Sequence, residues 1–98
     1  MLTAKPLQVF NLGPKRVLVC HIQTDNPARF LNREFSFYAN GLRAGRIRIE
    51  GVSTASPNSD LIFDFSYTGD EIRPEQLGDR SLITDGRYED ALRELAAA

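Results

Sequence analysis

Asn40 and Gly41 stand between two runs in which apolar and polar residues alternate, and this arrangement confines residues 34–50 to an antiparallel hairpin. Both residue types accept the positive φ that a tight reversal requires. The register follows from where charge can go. A regular two-residue turn would pair Phe35 with Arg46 and Phe37 with Ala44, which sets arginine on the aromatic face. A shift of one residue pairs Phe35 with Ile47 and Phe37 with Gly45. The second register separates apolar from polar, so an odd-length loop or a bulge near Gly45 is expected, with Phe35, Phe37, Ile47 and Ile49 inward. Ser36, Tyr38, Arg46 and Arg48 then face outward.

The rest of the chain reads as more strands and one helix. Residues 7–10 form a short extended segment closed by Asn11, Gly13 and Pro14, a turn leading into a hairpin with residues 17–22. In that second strand Leu18, Cys20 and Ile22 share one face and Val17, Val19 and His21 the other, so it reads as central. Residues 24–33 break the pattern and read as a connecting loop, with room for one helical turn at residues 28–31. Residues 53–60 form a polar connection and the expected mobile loop. Residues 61–67 alternate again, placing Leu61, Phe63, Phe65 and Tyr67 on the core face. Residues 68–78 are loop-like, and residues 81–84 suit a last short strand.

From Asp85 the period changes to that of a helix. Tyr88, Ala91, Leu92 and Leu95 form one stripe, and Asp85 or Gly86 is the expected cap. A helix this short needs tertiary burial, so Leu92 and Leu95 are expected to dock on the sheet. Five or six short strands with a terminal helix predict a mainly β domain spanning residues 1–98: a small antiparallel sandwich or barrel, with an α+β open sheet as the alternative.

Charge is distributed unevenly. Residues 1–50 carry eight Lys or Arg against three Asp or Glu, and residues 51–98 carry four against ten. Such polarity can mark an anionic partner, head-to-tail association, or two halves that fold together. A chain of 98 residues has one core, which favours interleaved halves. Ten of the twelve cations are arginine, the side chain for bidentate pairing, although codon bias gives the same enrichment.

Composition narrows the functional classes. One cysteine permits no intrachain disulfide and points to a reducing cytoplasm. The first twelve residues lack the apolar run of a signal peptide, and no stretch suits a membrane span. Cys20 and His21 are adjacent on a strand, point to opposite faces and cannot form a dyad. With one residue of each type, the common zinc sets cannot be assembled. Asp60, Asp64, Asp70 and Glu71 could form a carboxylate hydrolase pair or hold a cation only by converging, and no EF-hand loop is present. Nucleophile-elbow and nucleotide-binding glycine patterns are missing. No catalytic constellation, metal or cofactor is therefore expected.

These features predict a non-enzymatic protein-interaction module, an adaptor, inhibitor, immunity-type or assembly component of a bacterium or virus. Its expected binding residues are Tyr38, Arg43, Arg46 and Arg48 on the outward hairpin face. Self-association is left open. The alternative is a single-stranded nucleic-acid binder using the same arginines with Tyr38 as a stacking ring. A sequence isoelectric point near 5.8 weighs against that alternative.

Overall fold

The computed structural model describes residues 1–23, 26–54 and 61–96. Glu34–Ala39 forms β3 and Leu42–Thr54 forms β4, joined by the two-residue turn Asn40–Gly41 with φ of 54° and 81°. Positive φ at both positions matches the right-handed twist of a hairpin. Tyr38 pairs with Arg43, after which the register shifts and Phe37 pairs with Gly45, Phe35 with Ile47. Ala44 is the extra residue of a bulge. A glycine follows it for steric reasons, since a Cβ at position 45 would lie 2.9 Å from the Asp70 Cβ. Phe35, Phe37, Ile47 and Ile49 are all buried, as the separation of charge required.

Thr3–Leu12 is β1, Lys15–Ile22 is β2, Ile62–Gly69 is β5 and Leu82–Thr84 is β6. All six strands close into one antiparallel barrel in the order β1-β2-β5-β4-β3-β6. The fold is thus the small barrel, and neither the sandwich nor the open sheet. β6 has only three residues, yet it pairs with Thr3 and Ala4 on one side and with residues 36–38 on the other. The two charged halves interleave through it, because β5 lies between β2 and β4 and β6 between β3 and β1. Direct neutralisation is minor. Of the ion pairs among the described residues, only Arg33 with Asp85 at 3.7 Å joins the halves.

β1 is longer than its sequence signal. A bulge at Leu7 shifts the register between Pro6 and Gln8, so the apolar period is split into two fragments, of which only the second reads as a strand. The β2–β3 connection carries a 3-10 turn, Pro27–Phe30, that crosses one end of the barrel. Phe30 is buried there, its ring centroid 5.3 Å from Phe35 and 5.1 Å from Phe65. It is a core residue in a segment read as a connecting loop with room for one helical turn, which the 3-10 turn fills. At the β5–β6 connection Ile72 is also buried, its amide donating to the Tyr67 hydroxyl over 3.1 Å. Of the connection expected at residues 53–60, Ser53 and Thr54 belong to β4 instead, and residues 55–60 lie outside the described residues.

Tyr88–Ala96 is α1. It starts later than expected because neither proposed cap acts as one. The Asp85 carboxylate instead accepts from the Leu2 amide at 2.7 Å, and the first helical hydrogen bond runs from the Ala91 amide to the Arg87 carbonyl. The helix packs outside the barrel over β1 and β6. Ala91 is fully buried and Leu95 half-buried, while Leu92 is 36% exposed, which corrects the expectation that Leu92 docks on the sheet. A small residue at the contact lets the helix approach closely, and Leu92 is left along its margin.

Two outcomes follow. Phe30→Ala should cost about 3–5 kcal/mol in denaturant unfolding, whereas Leu92→Ala should cost below about 1 kcal/mol. Cys20 is fully buried, and burial, followed by the nearby Asp64 charge, raises its thiol pKa well above the ordinary 9.0. Burial also raises Tyr67 above 10.0. Above those values the unfolded chain loses protons that the folded chain keeps, so stability is full at lower pH and falls as pH rises beyond about 9. Urea midpoints measured from pH 7 to 11 should show that fall, and Cys20→Ala should make it shallower.

Candidate interaction face

The expected binding residues occupy one hairpin but not one uniform surface. Tyr38 faces outward on β3 and is half-buried, because its ring packs on Tyr88 of α1 with centroids 4.8 Å apart. One π-face is therefore already covered. Arg43 is exposed across the strand from Tyr38. Arg46 is exposed opposite Ser36, and its backbone amide is held by the Asp70 carboxylate at 2.9 Å. Arg48 lies opposite Glu34 and is paired with Glu50 at 3.3 Å. The structure thus joins Tyr38 and Arg43 as neighbours and leaves Arg48 flanked by acidic groups.

The acidic residues do not converge either. Asp70 follows the end of β5 and accepts from the Arg46 amide inside β4, and Asp64 lies on the outer face of β5 opposite Ser53 and Val19. β4 and β5 are neighbours, but the register sets Thr68, not Asp64, across from Arg48. Asp60 lies outside the described residues. No group of three or more His, Cys, Asp or Glu able to hold a metal ion occurs among the described residues, and none of the described helices is long and apolar enough to cross a membrane.

A different surface stands out once the barrel is closed. Closure turns alternate residues of every strand outward, and α1 packs over β1 and β6, with Tyr88 reaching Tyr38 of β3. On the outer face of β1, β2, β5 and β4 the registers build rows across the strands. One row is Phe10, Val17, Ser66 and Gly51; the row beside it is Gln8, Val19, Asp64 and Ser53. Phe10 is 46% exposed and Leu12 is 66% exposed, with Leu7 also exposed at the bulge. Val17 and Val19 are half-buried beside them.

Small residues shape the middle of this face. Gly51 and Ser66 lie in a shallow depression of about 300 Å3, bounded by Val17, Val52, Lys15 and Asp64. A Cβ at position 51 would lie 2.6 Å from the Ser66 Oγ, so a larger residue there would have to displace that hydroxyl. An exposed aromatic ring beside a small-residue depression, with one cation and one carboxylate at the edge, has the chemistry of a protein contact: apolar centre, charged rim.

Sequence reasoning missed this face because Val17, Val19 and Phe10 read as ordinary strand residues. The available signal was the apolar character of both faces of residues 17–22, which says that the outer face needs cover from somewhere. Comparison with protein-family models, curated proteins and solved structures finds no match to this chain.

Proposed function

We propose that this protein is a non-enzymatic protein-interaction module that docks through the outer β1-β2-β5-β4 face, with Phe10 as its anchor. The observation that carries the reading is the cluster of Phe10, Leu12, Val17 and Val19, left uncovered by the helix that shields the other side of the barrel. Covering the exposed part of Phe10, 46% of its surface, contributes about 1 kcal/mol and Leu12 adds to it, so this face holds more to gain from a partner than the hydrated arginines of the β3–β4 hairpin. Lys15 and Asp64 at the rim supply orientation through charges of both signs, which suits a protein surface of mixed polarity. Arg48, at the edge of the same strands, joins that rim. A reducing compartment fits the buried thiol of Cys20.

Single-stranded nucleic acid is the weaker alternative. Tyr38 already spends one ring face on Tyr88, and Arg48 is offset by Glu50 and Glu34, so the basic row lacks an open stacking platform and a continuous positive field.

Replacing Phe10 and Leu12 together by serine should leave the thermal midpoint within a few degrees, since both side chains are exposed. A partner recovered with the wild-type protein and identified by mass spectrometry should be lost from this variant, and amides of β1 and β2 should gain exchange protection in the wild-type complex. Retention of the same partner by Phe10→Ser/Leu12→Ser would contradict the assignment of the face. Fluorescence anisotropy with a labelled single-stranded oligonucleotide at 150 mM salt should show no binding below about 100 µM. Micromolar binding lost on Arg46→Ala/Arg48→Ala would make the hairpin a nucleic-acid surface instead.

A further inference from the structure

We propose that the tip of the β3–β4 hairpin, together with Arg80 and Tyr88, binds a phosphate group, either free or at the end of a larger molecule. This site lies apart from the docking face described above. Tyr38 pairs with Arg43 on one side and with Leu82 on the other, so the three side chains form one outward row across β4, β3 and β6. Arg80, two residues before Leu82, reaches the Asn40–Gly41 turn at the end of that row. A Cβ on Gly41 would lie 3.5 Å from the Tyr88 Oη and 3.6 Å from the Arg80 Nη2, so these two groups flank the same side of the turn.

The Tyr88 hydroxyl is the observation that points to a ligand. Among the described residues it is the buried side-chain polar atom that has no hydrogen-bond partner. Tyrosine hydroxyls withdrawn from water nearly always have one. Packing on Tyr38, with ring centroids 4.8 Å apart, holds the Tyr88 ring in place, so its hydroxyl stays beside Gly41 with its proton unused. The Arg80 side chain next to it is exposed and long, and it can swing to admit a ligand to the hydroxyl.

Charge selects the class of ligand. Arg43 and Arg80 are both exposed, and neither forms an ion pair among the described residues. The nearby carboxylates are engaged elsewhere or lie on another side. Asp79 acts on Lys5, Asp85 holds the Leu2 amide and Arg33, and Asp90 pairs with Arg93. Glu89 is one helical step, about 100°, around α1 from Tyr88. A hydroxyl donor, the guanidinium fork of Arg80 and the guanidinium of Arg43 thus come from three elements: α1, the β5–β6 connection and β4. A phosphate offers acceptor oxygens in several directions, whereas a carboxylate offers two in one plane, so the arrangement suits the tetrahedral anion. Arg46 and Arg48, farther along β4, take no part.

Inorganic phosphate titrated into the 15N-labelled protein, with sodium chloride in excess, should shift the amides of Gly41, Arg43, Arg80 and Tyr88 with a Kd below about 10 mM, and acetate should bind at least about threefold more weakly. Arg80→Gln should weaken phosphate by about tenfold. Tyr88→Phe keeps the ring on Tyr38 and removes only the unpartnered hydroxyl, so it should weaken phosphate by about threefold without lowering the thermal midpoint. The control Arg29→Gln, at an exposed position of the 3-10 turn, should change nothing. Methyl phosphate binding at least as tightly as inorganic phosphate would assign the site to the terminal group of a larger molecule, and weaker binding would assign it to the free ion. Equal binding of acetate, or equal weakening by Arg29→Gln, would reduce the effect to net charge and overturn the phosphate assignment. Full affinity in Tyr88→Phe, or no shift of these amides at about 50 mM phosphate, would overturn the site.

Discussion

Ile83 lies between Ala4 on one side and Phe37 on the other, and this double pairing of a three-residue strand closes the barrel. Without β6 the sheet would end at β1 and β3, leaving two open edges and a split core. With it, each strand has a fixed inner and outer side, so the identity of every surface residue follows from strand parity. The barrel ends are then filled by Phe30 from one connection and Ile72 from another, both almost fully buried. Neither end needs the helix. That leaves α1 free to lie outside the barrel, and its position decides which outer surface is shielded and which is bare.

The helix divides the outer surface into three parts. Directly beneath it Leu82 and Ala91 are fully buried and Tyr38 packs on Tyr88. Along its margin Leu92 and Leu95 face Lys5 and His21 across a groove. On the far side Phe10, Leu12, Val17 and Val19 meet no helix. A helix docked by leucines rather than by alanine would have sat further out and filled its own margin. One small residue at the contact therefore accounts for both the groove and the limited cover of the barrel.

Much of this was legible in the chain. The hairpin register was, because arginine cannot be placed among Phe35, Phe37, Ile47 and Ile49; that exclusion required an odd-length loop or a bulge near Gly45, and the structure has the bulge, at Ala44. The strand class and the inward faces of β2 and β5 followed from alternation. Three things were hidden for physical reasons. The bulge at Leu7 broke the period of β1. Phe30 acts through long-range stacking on Phe65, and no local pattern marks a single aromatic residue in a polar loop as core. The small-residue depression beside the outward apolar residues exists only because β5 is inserted between β2 and β4, which sets Val17 beside Ser66 and Ser66 beside Gly51. Pairing of strands distant in sequence has no periodic signature, so the binding residues chosen from the hairpin alone, Tyr38, Arg43, Arg46 and Arg48, were those with the clearest local pattern.

Amide hydrogen exchange at β6 tests barrel closure most directly. If this short strand is an integral stave, the hydrogen-bonded amides of Leu82–Thr84 will exchange only through global unfolding, with the same free energy as those at the centre of β2. Exchange at β6 many times faster than at β2 and β5, under conditions where those strands stay protected, would mean that the barrel is open between β1 and β3, and the division into inner core and outer faces would not hold.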